Sequence, residues 1–433
     1  MITAGFAVVA LGACSLDVDN PTMIEDADLD NPDAVPAIAA GVAGDFAYAA
    51  VVPGGGGVYV AGAMLTDELV HVGTWVGLRG LSDGQSRNDW VESQSRWSEP
   101  SQARWVAEKA IDRISALVED PQTNEYVAQV THWAGHANRL MGDAFCEAVI
   151  DGGDLQPYTV YYDRAATYFT DAIGITAAAG LEDYRLSAIG GRAHVRMMQG
   201  DWAGAVADAA EIPTDFVFYQ VHSTNSGREN NDMYWWGYLR SEGSVWGTPF
   251  AEWGVNLSDP GAGGDPRVQY DDSGDTGGDG RRPFYRQRKY RSYDDDIALV
   301  SGTEMRLLEA EALLHAGSIG PAMDRINEVR QYHNATDGYS LPDLTAATIE
   351  EAWEILMRER GIELWLQGKR LPDVRRWMVS PGYVPFEVVR AEARGQPASA
   401  DPWVNVLDAQ VITERGDLCL PVSKDEIDAN PNF

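Results

Sequence analysis

Two well-separated segments of this chain share one layout, and that layout restricts the fold more than any other feature. From Ala188 to Pro213 an apolar helical stretch runs into a Gly200-Asp201-Trp202 turn, resumes with Ala205 and Ala209, and closes on Pro213. From 303 to 330, Met305, Leu308 and Ala312 lead to Gly317 and then to Ala322, Ile326 and Val329. Small residues where two helices touch, with a glycine at the turn between them, describe a unit that cannot bury its apolar face alone. Such units stack on neighbours of the same kind, which commits the chain to a helical scaffold.

Other stripes extend the pattern. Val35, Ile38, Val42 and Phe46 fall on one side of a helix that Asn31 caps and Pro32 begins. Ala107, Ile111, Ile114 and Val118 form a second stripe, and Trp133, Ala137, Leu140 and Ala144 a third. Ala165, Phe169, Ala172 and Ile173 form a fourth, so a helix pair is expected between Glu125 and Ala179. A long helix is expected from about Ile349 to Gln367. The layout is tetratricopeptide-like. The fold class is therefore mostly α: an α/α superhelix of four tetratricopeptide-like helix pairs with a large loop-rich insertion. The scaffold covers about 105–213 and 303–378, the insertion about 214–302, and both belong to a single domain spanning 31–433. The stretch from Ala61 to Trp97 reads as short helices and long loops.

The N-terminus carries a separate message. An apolar run from Phe6 ends in Leu11-Gly12-Ala13-Cys14, and acidic residues follow at Asp17 and Asp19. Small residues before a cysteine suit a lipoprotein signal peptidase, and the Cys14 thiol would take diacylglycerol. Residues 1–13 then read as a signal peptide, although they hold no Lys or Arg, and residues 14–30 as an acidic tether. Beyond residue 14 no stretch is read as the roughly 20 unbroken apolar residues of a membrane span, so a soluble domain is expected there.

Charge and cysteine content narrow the classes further. The chain has 433 residues, and 33 Lys and Arg against 66 Asp and Glu give a net charge of −33. Such a surface repels phosphate backbones, which argues against nucleic-acid binding. With Cys14 acylated, Cys146 and Cys419 would either pair in an oxidising compartment or remain free buried thiols; their settings favour free thiols.

Tyr234, Trp235, Trp236 and Tyr238 form the densest aromatic cluster, with Trp246 and Trp253 nearby, and Trp75 and Trp90 lie in another irregular stretch. Flat indole faces suit the C–H faces of sugar rings, and Asn230, Asn231 and Asp232 would hydrogen-bond hydroxyls. Ligand-binding candidates are thus Trp75, Trp90, Asn230, Asn231, Tyr234, Trp235, Trp236, Tyr238, Trp246 and Trp253. Oxygen donors Asp271, Ser273, Asp275 and Asp279 in a Gly-rich stretch would suit calcium, without the EF-hand positions. No other cofactor and no metal centre is expected; His132 and His136 stand at helical spacing without an accompanying Glu. Arg358, Glu359, Arg360, Glu363, Arg370, Asp373, Arg375 and Arg376 crowd one segment. They read as a structural ion-pair motif, chiefly Arg358, Glu359, Glu363, Arg370, Asp373 and Arg376, rather than as a catalytic acid and base.

Four stretches together resemble the SusD/RagB-like outer-membrane nutrient-uptake lipoproteins. They are Cys14 with Leu16-Asp17 and Asn20-Pro21; Gly264-Asp265-Pro266-Arg267 with Lys289-Tyr290; Glu309 to Leu313 with Gly317, Ala322, Ile326-Asn327 and Val329-Arg330; and Arg358-Glu359-Arg360 with Glu363-Leu364, Gly368, Arg370, Asp373 and Arg376-Trp377. The ending Leu420-Pro421, Glu426-Ile427 and Asn430-Pro431 is similar too. Gln367 stands where the family usually has Glu, and Pro372 where an aromatic is common. The resemblance implies four helix pairs supporting a loop-built ligand face. It also implies a SusC-like TonB-dependent barrel as partner, an oligomeric nutrient as cargo (glycan first, peptide second), and a lipid-anchored place on the outer membrane facing the exterior. It implies no catalysis. Two rival readings remain: a glycoside hydrolase on a helical scaffold, which needs two carboxylates across one cleft, and a helix-pair scaffold that binds only proteins.

Overall fold

A computed structural model describes residues 26–52, 57–379 and 418–433. Cys14, the tether up to residue 25 and the segment 380–417 lie outside the described residues. The helices are α1 (Val35–Val51), α2 (Val58–Leu65), α3 (Val76–Ser82), α4 (Val91–Leu117), α5 (Glu125–Ala144), α6 (Thr159–Ala179), α7 (Glu182–Met198) and α8 (Trp202–Ala209). After the insertion come α11 (Gly302–His315), α12 (Ile319–Thr336), α13 (Ile349–Glu363), α14 (Arg370–Val379) and α15 (Lys424–Ala429). Within the insertion lie the short helices α9 (Asp232–Tyr234) and α10 (Pro249–Trp253).

Helix starts follow local chemistry. Asn124 caps α5 by accepting from the Tyr126 and Val127 amides (2.9 and 3.1 Å), and Asp201 caps α8 through the Gly204 amide (3.0 Å). Thr348 and Glu351 form a reciprocal capping box at α13. The expected stripes are the buried ones: Val42 and Phe46 on α1, Ile114 on α4, Leu140 on α5, Phe169 on α6, Ala205 and Ala209 on α8, and Ile326 and Val329 on α12 are almost fully covered. Successive helices pack in order: α4 on α5, α5 on α6, α6 on α7, α7 on α8, then α8 on α11, and α11 on α12 and α13. Glycines permit the closest approach. A Cβ on Gly135 would lie 2.6 Å from the Phe169 ring, and one on Gly142 would lie 2.7 Å from the Tyr162 ring.

Four expectations need correction. Residues Pro32–Val51 are long and apolar enough to cross a membrane on composition alone, although no such stretch was expected. Here α1 packs against α4 and α5 as a core helix. The irregular stretch ends before Trp97, because α4 already begins at Val91 and carries Pro100 inside it. The long helix after Ile349 stops at Glu363, and a turn follows in which Leu366 takes a left-handed φ of 57°. Finally, Cys146 and Cys419 form a disulfide, with Cα atoms 5.1 Å apart. The Cys146 amide donates to the Leu420 carbonyl (3.0 Å) and the Leu420 amide to that of Ala144 (2.7 Å), so the segment around Leu420 lies beside the end of α5.

The insertion holds more sheet than its composition suggests. Strand β4 (Val217–Gln220) pairs antiparallel with β9 (Ile297–Ser301). A three-stranded sheet joins β6 (Gly254–Asn256), β7 (Asp265–Thr276) and β8 (Pro283–Gln287) in that order. Two smaller ladders pair β1 (Val70–His71) with β5 (Gly243–Ser244), and β2 (Glu147–Val149) with β3 (Leu155–Pro157).

The separated charged motifs meet in one buried lattice. Arg267, on β7, donates to Asp265 (2.7 Å), to Glu359 (2.7 Å) and to Glu363 (3.2 Å). Arg330 donates to Glu359 from the opposite side (2.6 Å). Arg360 and Asp373 make a two-pronged pair at 2.8 Å, joining α13 to α14. Glu311 accepts from Arg376 (2.9 and 2.7 Å) and from the Trp377 indole (2.9 Å). Arg370 grips Asp67 (2.8 Å), and Lys369 grips Glu304 (2.9 Å). Burial alone would raise the Asp373 carboxyl, but Arg360 and Arg376 hold it below its ordinary value. Two neighbours depart from the expected motif. Arg358 is exposed and lies over the Trp253 ring (5.6 Å). Arg375 donates to the carbonyls of Gly142, Asp143 and Phe145, capping the end of α5.

The lattice generates two expectations. Glu311 is fully buried, and Glu311→Ala removes the acceptor of the Trp377 N–H and two of the bonds of Arg376, which keeps Asp373. Urea denaturation should show a loss of about 3–5 kcal/mol; a loss below about 1 kcal/mol would remove the lattice from the structural account. The second concerns pH. Burial alone would lower the His333 pKa, but the hydrogen bond and charge of Glu363, with Asp337, raise it above 6.5. A raised histidine contributes stability that is complete below 6.5 and is lost as pH rises through the folded value. The melting temperature of the native chain should therefore fall more between about pH 6 and about pH 9 than that of His333→Gln. Equal falls would contradict the pairing.

Candidate functional site

The aromatic cluster is built from a short unusual helix. Asn231 caps α9 by accepting from the Met233 amide (3.0 Å), and its amide nitrogen donates to the Asp295 carbonyl (2.7 Å). From Trp235 to Leu239 the chain continues as a π-helix, a rare form often placed at functional sites. The wider turn fans the rings out. Tyr234 and Tyr238 stack with centroids 5.2 Å apart, and Tyr293 meets Tyr234 edge-on at 5.1 Å. Trp235 meets Trp236 edge-on at 4.7 Å, and Trp75 meets Trp236 at 5.5 Å. Arg240 lies over both Trp235 (4.6 Å) and Trp75 (5.4 Å), and Arg286 and Arg288 both lie over Tyr238 (5.2 Å).

Beside this ledge opens a pocket of about 530 Å³ lined by Tyr48, Ser226 to Arg228, Asn230, Asp232, Trp235 and Tyr293. Asp232 is 3% exposed, and its Oδ2 has no hydrogen-bond partner. Burial pushes its carboxyl up to about 7. Arg228 sits over the Tyr48 ring (4.1 Å) and pairs with Asp45 (3.0 Å). The other side of the Ser226–Arg228 loop faces a larger groove of about 1180 Å³, where Tyr184, Phe218 and the exposed Tyr219 contribute rings. A third, polar cavity of about 300 Å³ lies where Arg267, His333 and Glu363 leave the lattice.

The candidates from sequence separate into groups. Trp235 and Asn230 line the pocket. In the amide orientation that satisfies it, Asn230 donates to the carbonyls of Ser223 and Ser226 (3.2 and 3.3 Å), holding the loop. Trp75, Tyr234 and Tyr238 are half-buried on the ledge beside it. Asn231 is fully buried as a cap, Trp236 is fully buried beneath the ledge, and Trp253 is 6% exposed against Phe250. These three offer no free face, because the ledge and α10 need them as packing. Trp90 and Trp246 are half-buried and line none of the three cavities; the Trp90 ring lies against Gly80.

The oxygen donors proposed for calcium are not gathered either. Asp271 is paired with Arg286, Ser273 donates to the Phe284 carbonyl (2.8 Å), and Asp279 accepts from the Arg281 and Arg282 amides (2.8 and 3.0 Å). Three of the four lie two residues apart on β7, on one face of the strand, but Asp271 and Ser273 are taken up there by Arg286 and the Phe284 carbonyl. Among the described residues no group of three or more His, Cys, Asp or Glu is placed to hold a metal.

Sequence reasoning missed Tyr48, Arg228 and Tyr293. Tyr48 sits on an almost wholly apolar helix, where no period separates a pocket ring from a core ring. Tyr293 was overshadowed by the acidic run beside it, and Arg228 lies in a polar loop without pattern.

Residues 288–433, about a third of the chain, match the family model described as the SusD family. The sequence has no match among curated proteins. Among solved structures, a SusD homologue from Bacteroides thetaiotaomicron superposes with a TM-score of 0.68 at 15% identity, covering 95% of this chain and 98% of its own. A protein described as a laminarin-binding SusD-like protein gives 0.65 at 14% identity, covering 93% and 100%. A SusD-like carbohydrate-binding protein from Bacteroides fragilis gives 0.64 at 15%, covering 91% and 98%. At such identities the superpositions speak for the fold, while the matched C-terminal sequence contains the Lys289-Tyr290, Glu309–Arg330 and Arg358–Trp377 motifs that build the lattice. The C-terminal third of the chain thus matches the SusD family in sequence, and the chain has the fold of SusD-like proteins.

Proposed function

We propose that this chain is a non-catalytic binding protein that captures an oligosaccharide on the ledge and pocket formed by Trp75, Tyr234, Trp235, Tyr238, Tyr48 and Tyr293. The observation that carries this reading is the half-buried ring array next to a 530 Å³ pocket, built from the insertion with Tyr48 of α1 and Trp75 ahead of α3. Rings that are fixed by packing and still partly open lose little freedom on binding a sugar face. Arg240, over Trp235, and Arg286 and Arg288, over Tyr238, supply donors for hydroxyls beside the ring faces left open. Two proteins of the same fold are a laminarin-binding and a carbohydrate-binding SusD-like protein, which agrees with this assignment.

Catalysis is disfavoured by the same pocket. Asp232 is the one carboxyl among its lining residues, whereas glycoside hydrolysis uses a pair. We further propose that Cys14 carries the lipid anchor at the outer membrane and that cargo passes to a SusC-like TonB-dependent barrel. The Cys146–Cys419 disulfide agrees with a location outside the reducing cytosol.

Calorimetry against panels of oligosaccharides and peptides tests the reading. At least one oligosaccharide should bind without turnover, and Trp235→Ala should weaken it by about tenfold or more. Binding of peptides alone would move the cargo class, and release of shortened sugar products would overturn the non-catalytic assignment.

A further inference from the structure

One group in the pocket has no role in holding the fold. Asp232 is buried at the head of α9, yet Asn231 does the capping, and Oδ2 of Asp232 has no hydrogen-bond partner. A buried oxygen left in this state costs free energy that a ligand donor would recover. The same pocket is walled by three rings, Tyr48, Trp235 and Tyr293. One ring already shows its preference, since the Tyr48 face holds the Arg228 guanidinium at 4.1 Å. Arg228 is itself matched by Asp45, and Glu99 acts electrostatically on Arg228 and Tyr48 as well. Asp232 is thus the one carboxyl lining the pocket, while Asp45 and Glu99 balance the Arg228 charge from outside it.

We infer that this pocket is an ammonium-binding subsite that selects oligosaccharides bearing free amino groups, with the amine placed against Asp232 inside the cage of Tyr48, Trp235 and Tyr293. The inference rests on the oligosaccharide reading above and narrows it. A ring face attracts a cation, most strongly where water is excluded. An ammonium donor to a carboxylate makes a charge-assisted bond about twice as strong as a neutral one. A neutral hydroxyl supplies the bond without the charge, and a sugar carboxylate placed against Asp232 meets a like charge. Burial raises the carboxyl to about 7, and a bound ammonium would favour its charged form. No bond is made or broken.

The test compares two ligands that differ by one group. Short glucosamine oligomers and N-acetylglucosamine oligomers of equal length are titrated into the purified full chain at neutral pH. The free-amine oligomer should bind about tenfold more tightly, and raised salt should reduce the difference. Asp232→Asn should shrink that preference to less than about twofold, and Trp235→Ala should weaken both ligands. Equal affinities in the native chain, or an undiminished preference in Asp232→Asn, would overturn the inference. The native comparison and its salt dependence remain decisive even where Asp232→Asn does not fold. If neither oligomer binds while other oligosaccharides do, the amine inference fails and the oligosaccharide reading stands. If no oligosaccharide binds, both fail.

Discussion

The guanidinium–carboxylate lattice beneath the insertion is the constraint on which the rest of this molecule depends. Arg267 reaches from β7 of the insertion to Glu359 and Glu363 of α13. Lys289, between β8 and β9, donates to the Trp365 carbonyl (2.7 Å), and the Tyr290 hydroxyl donates to that of Leu366 (3.2 Å). The turn that receives them is held from behind by Glu68, which accepts from the Leu366 amide (2.6 Å). Buried ion pairs of this kind add little net stability over well-packed apolar residues, but they tolerate one geometry only. Their role here is register: they set the insertion on the last helix pair, and the aromatic ledge inherits that placement.

Division of labour follows from the chemistry of each part. The helix stack is held by apolar stripes and close glycine contacts, which need no particular ligand and cover most of its rings, Tyr48 on α1 and Trp105 on α4 being partly open. The insertion uses short strands, a π-helix and arginine-capped rings, which hold side chains half in and half out of solvent. A surface that must meet a varied polymer benefits from plates fixed in advance, because each ring ordered before binding removes an entropic cost at binding. The strongly acidic remainder of the chain keeps that surface from attracting polyanions.

Much of this was legible in the sequence, and the gaps have physical causes. Helix pairs could be read because burial on one face imposes a 3.6-residue period, as Leu140 and Phe169 illustrate. Ion pairing in the 358–376 segment was legible residue by residue at Glu359, Glu363, Arg370, Asp373 and Arg376, but not at Arg358. Arg358 and Arg360 are two apart on α13 and so face different ways, one toward solvent and one into the lattice. The disulfide joins residues separated by 273 positions, and apolar flanks alone cannot distinguish a bonded from a free thiol. Strand β7 was hidden because its second half, Asp271 to Thr276, is polar on both faces and lacks the alternation that marks a half-buried strand. The aromatic cluster was found, but which rings face outward depends on the π-helix, and nothing in Tyr234–Tyr238 announces that turn.

A crystal structure of the full chain with the tightest-binding oligosaccharide from the panel tests the central claim most directly. The account predicts sugar rings lying on Trp235 between Tyr48 and Tyr293, with a polar group of the ligand on the free oxygen of Asp232. Density for the ligand in the larger groove beside Tyr184 and Tyr219, with the Trp235 pocket empty, would contradict it.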